Sequence, residues 1–316
     1  MYKCYRLSSF MGVVFLCVAL FMGAVRLTVN SFRSAAVQGK APQTADETQA
    51  SGGESAFREI SRNKKEGVFV PIIMYHGLLE DDLRQGDYVV KPENFISDME
   101  FLIANGYTSV FVSELIDYAE NGTPLPEKPV VITFDDGHYN VMHYAYPYMK
   151  EHGIKGVMSV VGSYTERAAE EDEHNPNYSA LTWDEIRTLH QSGVFEIGNH
   201  TYDMHSLDCR KGSLKLLGES DEEYQRVLTE DIGRLQGLLT DKADVTPVIF
   251  TYPFGFVSDE SVEILAKMGF KALLTCYEKP NYITHVQGDF SLMSLNRYNR
   301  PSGVTTEEFM KRLLSE

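Results

Sequence analysis

The sequence predicts an α/β protein whose parallel strands and crossover helices form a (β/α) barrel, complete or incomplete, rather than an open sheet. Apolar strand-like runs alternate with helical patterns throughout residues 67–316, and this alternation is typical of parallel strands joined by helices. About seven such repeats fit into about 250 residues, which suits a barrel. No glycine-rich phosphate loop follows the first strand, and its absence weighs against a nucleotide-binding fold.

The central strand is predicted from the β-branched run at residues 130–134, Val-Val-Ile-Thr-Phe. Such a run is typical of a strand that is buried on both faces of a parallel sheet. The other strands are predicted at residues 68–75, 107–112, 154–161, 195–198, 248–252 and 271–275.

Helix starts and stops are marked by local signals. Pro92 suits the first turn of a helix that Gly106 ends. Three further helices open on capping boxes, in which a Ser or Thr and the Glu three residues later satisfy each other's backbone donors. These boxes are Thr182 with Glu185, Ser220 with Glu223, and Thr305 with Glu308. The helices are predicted at residues 92–105, 139–152, 182–191, 220–239, 258–268 and 305–314.

The amino-terminal segment predicts a membrane anchor. Residues 7–25 are uncharged over 19 positions, which is long enough to span a bilayer, and Lys3 and Arg6 before them favour a cytoplasmic tail. No convincing small-x-small cleavage site follows Val25, so an uncleaved anchor is favoured over a secreted chain. The predicted organisation is a tail and transmembrane helix (1–30), a flexible polar linker (31–66) and an extracytoplasmic domain (67–316) at the plasma membrane.

The predicted domain is strongly acidic. Residues 67–316 carry 20 Lys and Arg against 40 Asp and Glu, a net charge of −20. This balance excludes nucleic acid and anionic polymers as natural partners and is compatible with neutral or cationic glycans. Cys209 and Cys276 are its two cysteines, and the sequence leaves open whether they pair.

Two adjacent carboxylates end the central strand in Thr133-Phe134-Asp135-Asp136-Gly137. In (β/α) barrels the active site lies at the carboxyl ends of the strands, where these polar residues are predicted. Side chains alternate in direction along an extended chain, so the two carboxylates are expected to have different roles. One would be a metal ligand and the other a base. The alternative is an ordinary Asp-Gly turn.

Histidines follow a second predicted strand. His200 and His205 are five residues apart, a spacing that points to different faces of a helix but lets two imidazoles converge in a loop. Two neutral imidazoles and one carboxylate form an open metal site with room for water. Two other strands end in His76 and in Pro253-Phe254-Gly255, and all four ends are expected on one barrel face.

These motifs, in the order Thr-Phe-Asp-Asp-Gly, His-Thr-x-x-x-His and Tyr-Pro-Phe-Gly, resemble those of the polysaccharide deacetylases of the NodB-homology type, carbohydrate esterase family 4. The resemblance covers roughly residues 69–314. It implies a distorted (β/α)7 barrel that removes acetyl groups from glycans with a bound divalent metal ion.

Two departures from the usual family pattern point to one branch. Most members space their histidines four apart and carry a catalytic Leu-x-His motif near the carboxyl end, which this chain lacks. The five-residue spacing and the early Met74-Tyr75-His76 look like the poly-β-1,6-N-acetylglucosamine deacetylase branch, whose motifs are circularly permuted.

The resemblance implies roles for the motif residues. Asp136, His200 and His205 would bind one divalent metal, zinc in the first place, with cobalt or nickel as alternatives. Asp135 would be the base that takes a proton from water, and the backbone N–H of Phe254 would stabilise the oxyanion.

Two further assignments have rivals. In the permuted branch the general acid is the amino-terminal histidine, here His76, and His285 is the competing candidate. Arg297, in Leu295-Asn296-Arg297, resembles the late arginine motif that orients the base, and Arg300 competes with it.

The predicted function is metal-dependent removal of N-acetyl groups from an N-acetylglucosamine-containing cell-surface polysaccharide. A glycoside hydrolase using Asp135 with another carboxylate is the first alternative. An inactive glycan-binding relative on the same barrel is the second. His138, His143 and His152 follow the first motif, and solvent-facing or packing roles are expected for them.

Overall fold

Parallel strands form the centre of the domain. The computed structural model describes residues 67–286 and 291–315. The strands are β1 (Val68–Phe69), β2 (Ile72–Tyr75), β3 (Gly77–Leu78), β4 (Val89–Val90), β5 (Thr108–Ser109), β6 (Pro129–Phe134), β7 (Gly156–Val160), β8 (Phe195–Asn199), β9 (Ile249–Thr251), β10 (Ala272–Leu274), β11 (Tyr282–Ile283) and β12 (Tyr298–Asn299).

The main sheet is parallel throughout, in the order β10-β9-β8-β7-β6-β2-β12, and β5 also pairs with β6. The sheet is curled, because the segment 295–299, which contains the last strand β12, also reaches β10 at the other end. Leu295 forms a parallel bridge to Leu274 in β10, and Tyr298 in β12 lies opposite Ile73 in β2. The predicted parallel α/β fold of the (β/α)-barrel type is therefore confirmed.

Helices surround the sheet. They are α1 (Pro92–Ala104), α2 (Val112–Asn121), α3 (Tyr146–His152), α4 (Gly162–Glu171), α5 (Trp183–Gln191), α6 (Asp221–Ala243), α7 (Asp259–Lys267) and α8 (Thr306–Leu313). Short 3₁₀ turns lie at Asp82–Arg84, Pro253–Gly255 and Ser291–Ser294. The core lies between the sheet and these helices: β6 is buried along its whole length, as predicted, and each fully buried large apolar side chain contributes about 1.5–3 kcal/mol.

Capping explains where several helices begin. The predicted boxes at Thr182 with Glu185 and at Thr305 with Glu308 are both present. At α6, Ser220 accepts a hydrogen bond from the backbone N–H of Glu223, which is one half of the predicted box. This helix runs four residues past the predicted end at residue 239, because Ala243 continues its buried face.

Two predicted strands differ from the structure, and two helices were not predicted. The first predicted strand divides into β1 and β2 at Pro71, which has no N–H to donate to a ladder. The predicted strand at residues 107–112 is shortened to β5, because Val112 opens α2, a helix that the sequence analysis did not predict; α4 was also missed. The predicted helix at residues 139–152 is confirmed, since these residues are helical throughout; a π-helical turn, Val141–Ala145, lies inside it, and Pro147 follows in the first turn of α3. A proline there removes one backbone donor.

The predicted membrane segment and linker lie outside the described residues. Among the helices that the structure describes, none combines the length and apolar character needed to cross a bilayer. The amino-terminal anchor stays a prediction from the sequence.

Candidate functional site

Four parallel strands deliver polar side chains to one end of the sheet. His76 follows β2, Asp135 follows β6, His200 follows β8, and the Pro253–Gly255 turn follows β9. The strands are in register at this end, since the Asp135 N–H donates to the Tyr75 carbonyl at 3.0 Å and the His200 N–H donates to the Val160 carbonyl at 3.0 Å. The expectation that these strand ends share one face is met.

Asp135 is held by a buried arginine. Arg297 Nη1 and Nη2 donate to the two carboxylate oxygens of Asp135 at 2.7 and 2.8 Å, and both side chains are almost fully buried. Arg297 is itself fixed, because its Nε donates to the Thr275 carbonyl at 2.8 Å. Burial alone raises the pKa of Asp135, but Arg297 and His200 lower the pKa by more, so this carboxyl stays ionised well into the acidic range.

Arg300, the competing arginine, has a different partner. Its Nε donates to Asp98 Oδ2 at 2.7 Å, and the hydroxyls of Tyr75 and Thr306 donate to the same carboxylate at 2.8 and 2.7 Å. This buried network joins β2, α1 and α8. Of the two candidates, Arg297 is the arginine that contacts Asp135.

Asp136, His200 and His205 converge. Asp136 Oδ1 lies 3.5 Å from His200 Nε2 and 3.1 Å from His205 Nε2, and one ligand atom from each residue falls within 4.8 Å of the others. Asp136 has a φ of 72°, a left-handed backbone that costs a non-glycine residue of order 1 kcal/mol.

This donor set fits a divalent metal. His200 Nδ1 lies 2.8 Å from the Thr251 carbonyl; a carbonyl only accepts, so this assigns the proton to Nδ1 and leaves the Nε2 lone pair facing Asp136. Asp136 Oδ1 is buried and, among the described residues, receives no hydrogen bond. The lone pair of His200 Nε2 and the ionised oxygen of Asp136 repel each other unless a cation lies between them. One Asp and two His with an open fourth position form a ligand set that zinc accepts.

His138 is a site residue that the sequence analysis placed in solvent or packing. Its Nε2 lies 3.4 Å from Asp136 Oδ2, and its side chain is 38% exposed. Burial raises the pKa of Asp136, but His138, His200 and His205 lower it well below its usual value. The sequence could have indicated this contact, because His138 comes two residues after Asp136. Gly137, with a φ of 72°, turns the chain between the two residues. His143 and His152 pack on tyrosines, as expected.

His76 and His285 occupy different places. The His76 ring lies 4.8 Å from that of Tyr88, and its Nδ1 is buried with no hydrogen-bond partner among the described residues. Burial lowers the pKa of His76 while the charges of Asp135 and Asp136 raise it, and the net direction is downward. His285 instead bonds through Nδ1 to the Ala119 carbonyl of α2 at 2.9 Å. The structure brings His76, not His285, to the strand ends.

Phe254 borders the cluster of Asp136, His200 and His205. Its ring centroid lies 4.5 Å from that of His205, and the side chain is 39% exposed. Its backbone φ of 58° is left-handed, so the short turn after β9 is a second strained position at this end of the sheet. Gly255 is required behind it, because a Cβ there would lie 2.7 Å from Cys276 Cβ.

Cys276, Tyr164 and Gly212 complete the surroundings. Cys276 is a free thiol, so it does not pair with Cys209, and burial raises its pKa. Tyr164, in α4, places its hydroxyl 3.4 Å from His205 Nδ1. Gly212, in the loop between β8 and α6, packs on the Pro253 carbonyl. Trp183, at the start of α5, is buried.

Replacing Arg297 by methionine is expected to destabilise the metal-free protein by about 3–5 kcal/mol, because the Asp135 carboxylate would stay buried without a partner. Urea unfolding in the presence of a chelator measures this. Arg226→Met is the control, since the exposed Arg226–Glu230 pair is worth about 0–1 kcal/mol. Equal unfolding midpoints for the two variants would contradict the assignment of Arg297 as the support of Asp135.

Comparison with known proteins agrees with this geometry. The profile of the family described as "Polysaccharide deacetylase" matches residues 122–273. The poly-β-1,6-N-acetyl-D-glucosamine N-deacetylase of Escherichia coli K12 is 25% identical over 222 residues, which are 64% of this chain and 33% of the relative. The enzyme of the same name from Staphylococcus aureus MRSA252 is 25% identical over 193 residues, 61% of this chain and 63% of the relative.

A solved structure shares the fold. The structure of IcaB from Ammonifex degensii superimposes with a TM-score of 0.62 at 26% identity, covering 77% of this chain and 94% of that one. The chain spans a third of the length of the Escherichia coli relative and less than two thirds of that of the Staphylococcus aureus relative. The matched profile, the relatives and the shared fold together show that this chain contains a polysaccharide deacetylase domain.

Proposed function

We propose that this protein is a metal-dependent N-deacetylase acting on an N-acetylglucosamine polymer of the poly-β-1,6-linked kind. The observation that carries the proposal is the convergence of Asp136, His200 and His205 beside the Arg297-bound carboxylate of Asp135. The relatives named for poly-β-1,6-N-acetyl-D-glucosamine deacetylation supply the substrate class.

Asp136, His200 and His205 would hold the metal, zinc in the first place. When bound, a divalent metal lowers the pKa of water and polarises an acyl oxygen. Asp135 takes the proton of the attacking water, because it is ionised and adjacent to the ligand Asp136. Arg297 engages both Asp135 oxygens and so fixes the base in one orientation, which limits the geometries that a proton transfer must sample.

The leaving amine needs a proton, and His76 is the histidine placed to give it. Its ring follows β2, the strand that pairs with β6, so it lies at the same end of the sheet as Asp135. The backbone N–H of Phe254, in the strained turn next to His205, is the proposed donor to the acyl oxygen as negative charge develops on it.

The surroundings suit a neutral sugar. The acidic domain, net −20 over residues 67–316, repels polyanions, while an N-acetylated polymer is neutral and its deacetylated product is cationic. Tyr88 and Phe254 are 60% and 39% exposed and lie next to His76 and His205. Exposed aromatic rings next to His76 and His205 give the apolar face of a pyranose a surface to pack on.

The two alternatives fit the geometry less well. A glycoside hydrolase needs two carboxyl groups flanking a bond, one of them protonated. Here Arg297 neutralises Asp135, and imidazoles surround Asp136, with both pKa values lowered. A glycan-binding relative without activity has no need for a strained Asp136 inside a cluster of imidazoles.

Acetate release from a panel of acetylated oligosaccharides tests the proposal. We expect release from β-1,6-linked N-acetylglucosamine oligomers above that from β-1,4-linked ones, loss of release with a chelator, and recovery with added zinc, cobalt or nickel. New reducing ends without acetate would establish a glycoside hydrolase, and binding with neither product would establish a non-enzymatic relative.

A further inference from the structure

The segment between the two metal-site histidines is bonded along its backbone. We call residues 200–205 the histidine arch. The Thr201 N–H donates to Asn199 Oδ1 at 3.0 Å. The Thr201 and Tyr202 carbonyls accept from the N–H groups of Gly162 and Ser163, at 3.1 and 2.8 Å. The start of α4 therefore supports the arch from one side.

Helix α6 supports the arch from the other side through one carboxylate. Asp231 Oδ1 accepts from the Tyr202 N–H at 2.8 Å, and Asp231 Oδ2 accepts from the Asp203 N–H at 2.9 Å. Two successive backbone donors thus bind the two oxygens of one side chain. An ionised Asp has acceptors for both, whereas an Asn offers one acceptor oxygen and turns an NH₂ donor toward the other N–H.

The Tyr202 side chain is fixed as well. The Arg234 guanidinium lies 3.5 Å from the Tyr202 ring centroid, and the Tyr202 hydroxyl donates to Glu166. A Cβ on Gly162 would lie 2.6 Å from Tyr202 Cδ2, so the ring packs directly on the start of α4. Thr201, with a φ of 71°, is the strained residue that these contacts hold in place.

The two histidines depend on the arch unequally. His200 directly follows β8, and Thr251 fixes its ring at 2.8 Å. His205 has weaker side-chain contacts: the Tyr164 hydroxyl at 3.4 Å and the Phe254 ring at 4.5 Å between centroids. The position of His205 is therefore set mainly by the backbone that leads to it, and Asp231 bonds two of the four residues in between.

We infer that Asp231 is a positioning residue for the metal site: its carboxylate fixes the histidine arch so that His205 Nε2 meets Asp136 and His200. The inference rests on the proposed metal-dependent function. It also accounts for the five-residue spacing from His200 to His205, which is one residue longer than in most family members. The longer loop needs a support outside itself, and Asp231 in α6, 26 residues after His205, provides it.

Metal affinity and the spectrum of the cobalt(II)-loaded full-length protein test the inference. We expect Asp231→Asn to bind zinc and cobalt 10–100-fold more weakly, the range typical for loss of a residue that orients a ligand, and to change the cobalt d–d bands. Asp231→Glu, which keeps two acceptor oxygens, should recover part of the affinity. Glu230→Gln, on the exposed neighbour of Asp231 with a side chain 64% exposed, should leave affinity and spectrum unchanged.

A double-mutant cycle separates positioning from general weakening of the fold. In a His205→Ala background, Asp231→Asn should cause no further loss of metal affinity, because Asp231 acts through His205. Unchanged affinity and bands in Asp231→Asn, or an equal loss with and without His205, would overturn the inference while leaving the proposed function standing. A parent protein that binds no metal would overturn both.

Discussion

His205→Ala is expected to lower metal affinity by more than about 10²-fold, beyond the 10–100-fold typical for a residue outside the ligand set, and to reduce acetate release to the level of the chelated protein. The reason is that Asp136 and His200 would remain as two ligands, one short of the three that catalytic zinc sites use. Metal analysis after dialysis, together with acetate release at saturating added zinc, measures both effects.

The matched control is His143→Ala. His143 lies in the π-helical turn, and its ring packs edge-on against Tyr144 at 4.5 Å, so its loss should leave metal content unchanged. Equal metal content in His205→Ala and His143→Ala would remove His205 from the site. Loss of metal in both would instead indicate that folding, not ligation, was measured.

Much of the fold could be predicted because its signals are local. The run at residues 130–134 is apolar at every position, as a strand buried on both faces must be, and β6 occupies it. The helices with Thr182 and Thr305 at their starts carry their own capping partners within three residues. By contrast α2 opens at Val112 without an N-cap side-chain bond, and the Ser113 N–H in its first turn meets Glu196 from β8. A contact across 83 residues leaves no local pattern.

The site residues also fall into those with a local sequence signal and those without one. Asp135, Asp136, His200 and His76 could be named because each follows a recognisable strand, and parallel strands bring their ends together. The choice between Arg297 and Arg300 could not be made from local spacing, because the two are three residues apart and both are buried next to carboxylates, Asp135 and Asp98 respectively. Asp231 carries no motif at all, and its role appears when α6 packs on the arch.

The general acid is the assignment on which the permuted arrangement depends. An acid must approach the leaving nitrogen from a side that the base and the ligands do not occupy. His76 is the proposed acid: it follows β2, which pairs with β6, and its ring packs against Tyr88. His285 is bonded to the Ala119 carbonyl in α2, and its ring lies within 3.1 Å of the position that a Cβ on Gly122 would take.

His76→Ala is therefore expected to keep its metal and to lose about 10²–10⁴-fold in kcat on an N-acetylated oligosaccharide, because removal of a general acid costs a rate factor of that order. On an acetyl ester with a good leaving group the loss should be much smaller, since that leaving group departs without a proton. His285→Ala, the matched control, should retain activity on both substrates. Metal content and the ratio of amide to ester kcat in each variant decide the matter. If His285→Ala lost the amide activity alone while His76→Ala stayed active, the acid would approach from the carboxyl-terminal segment and the permuted assignment would be wrong.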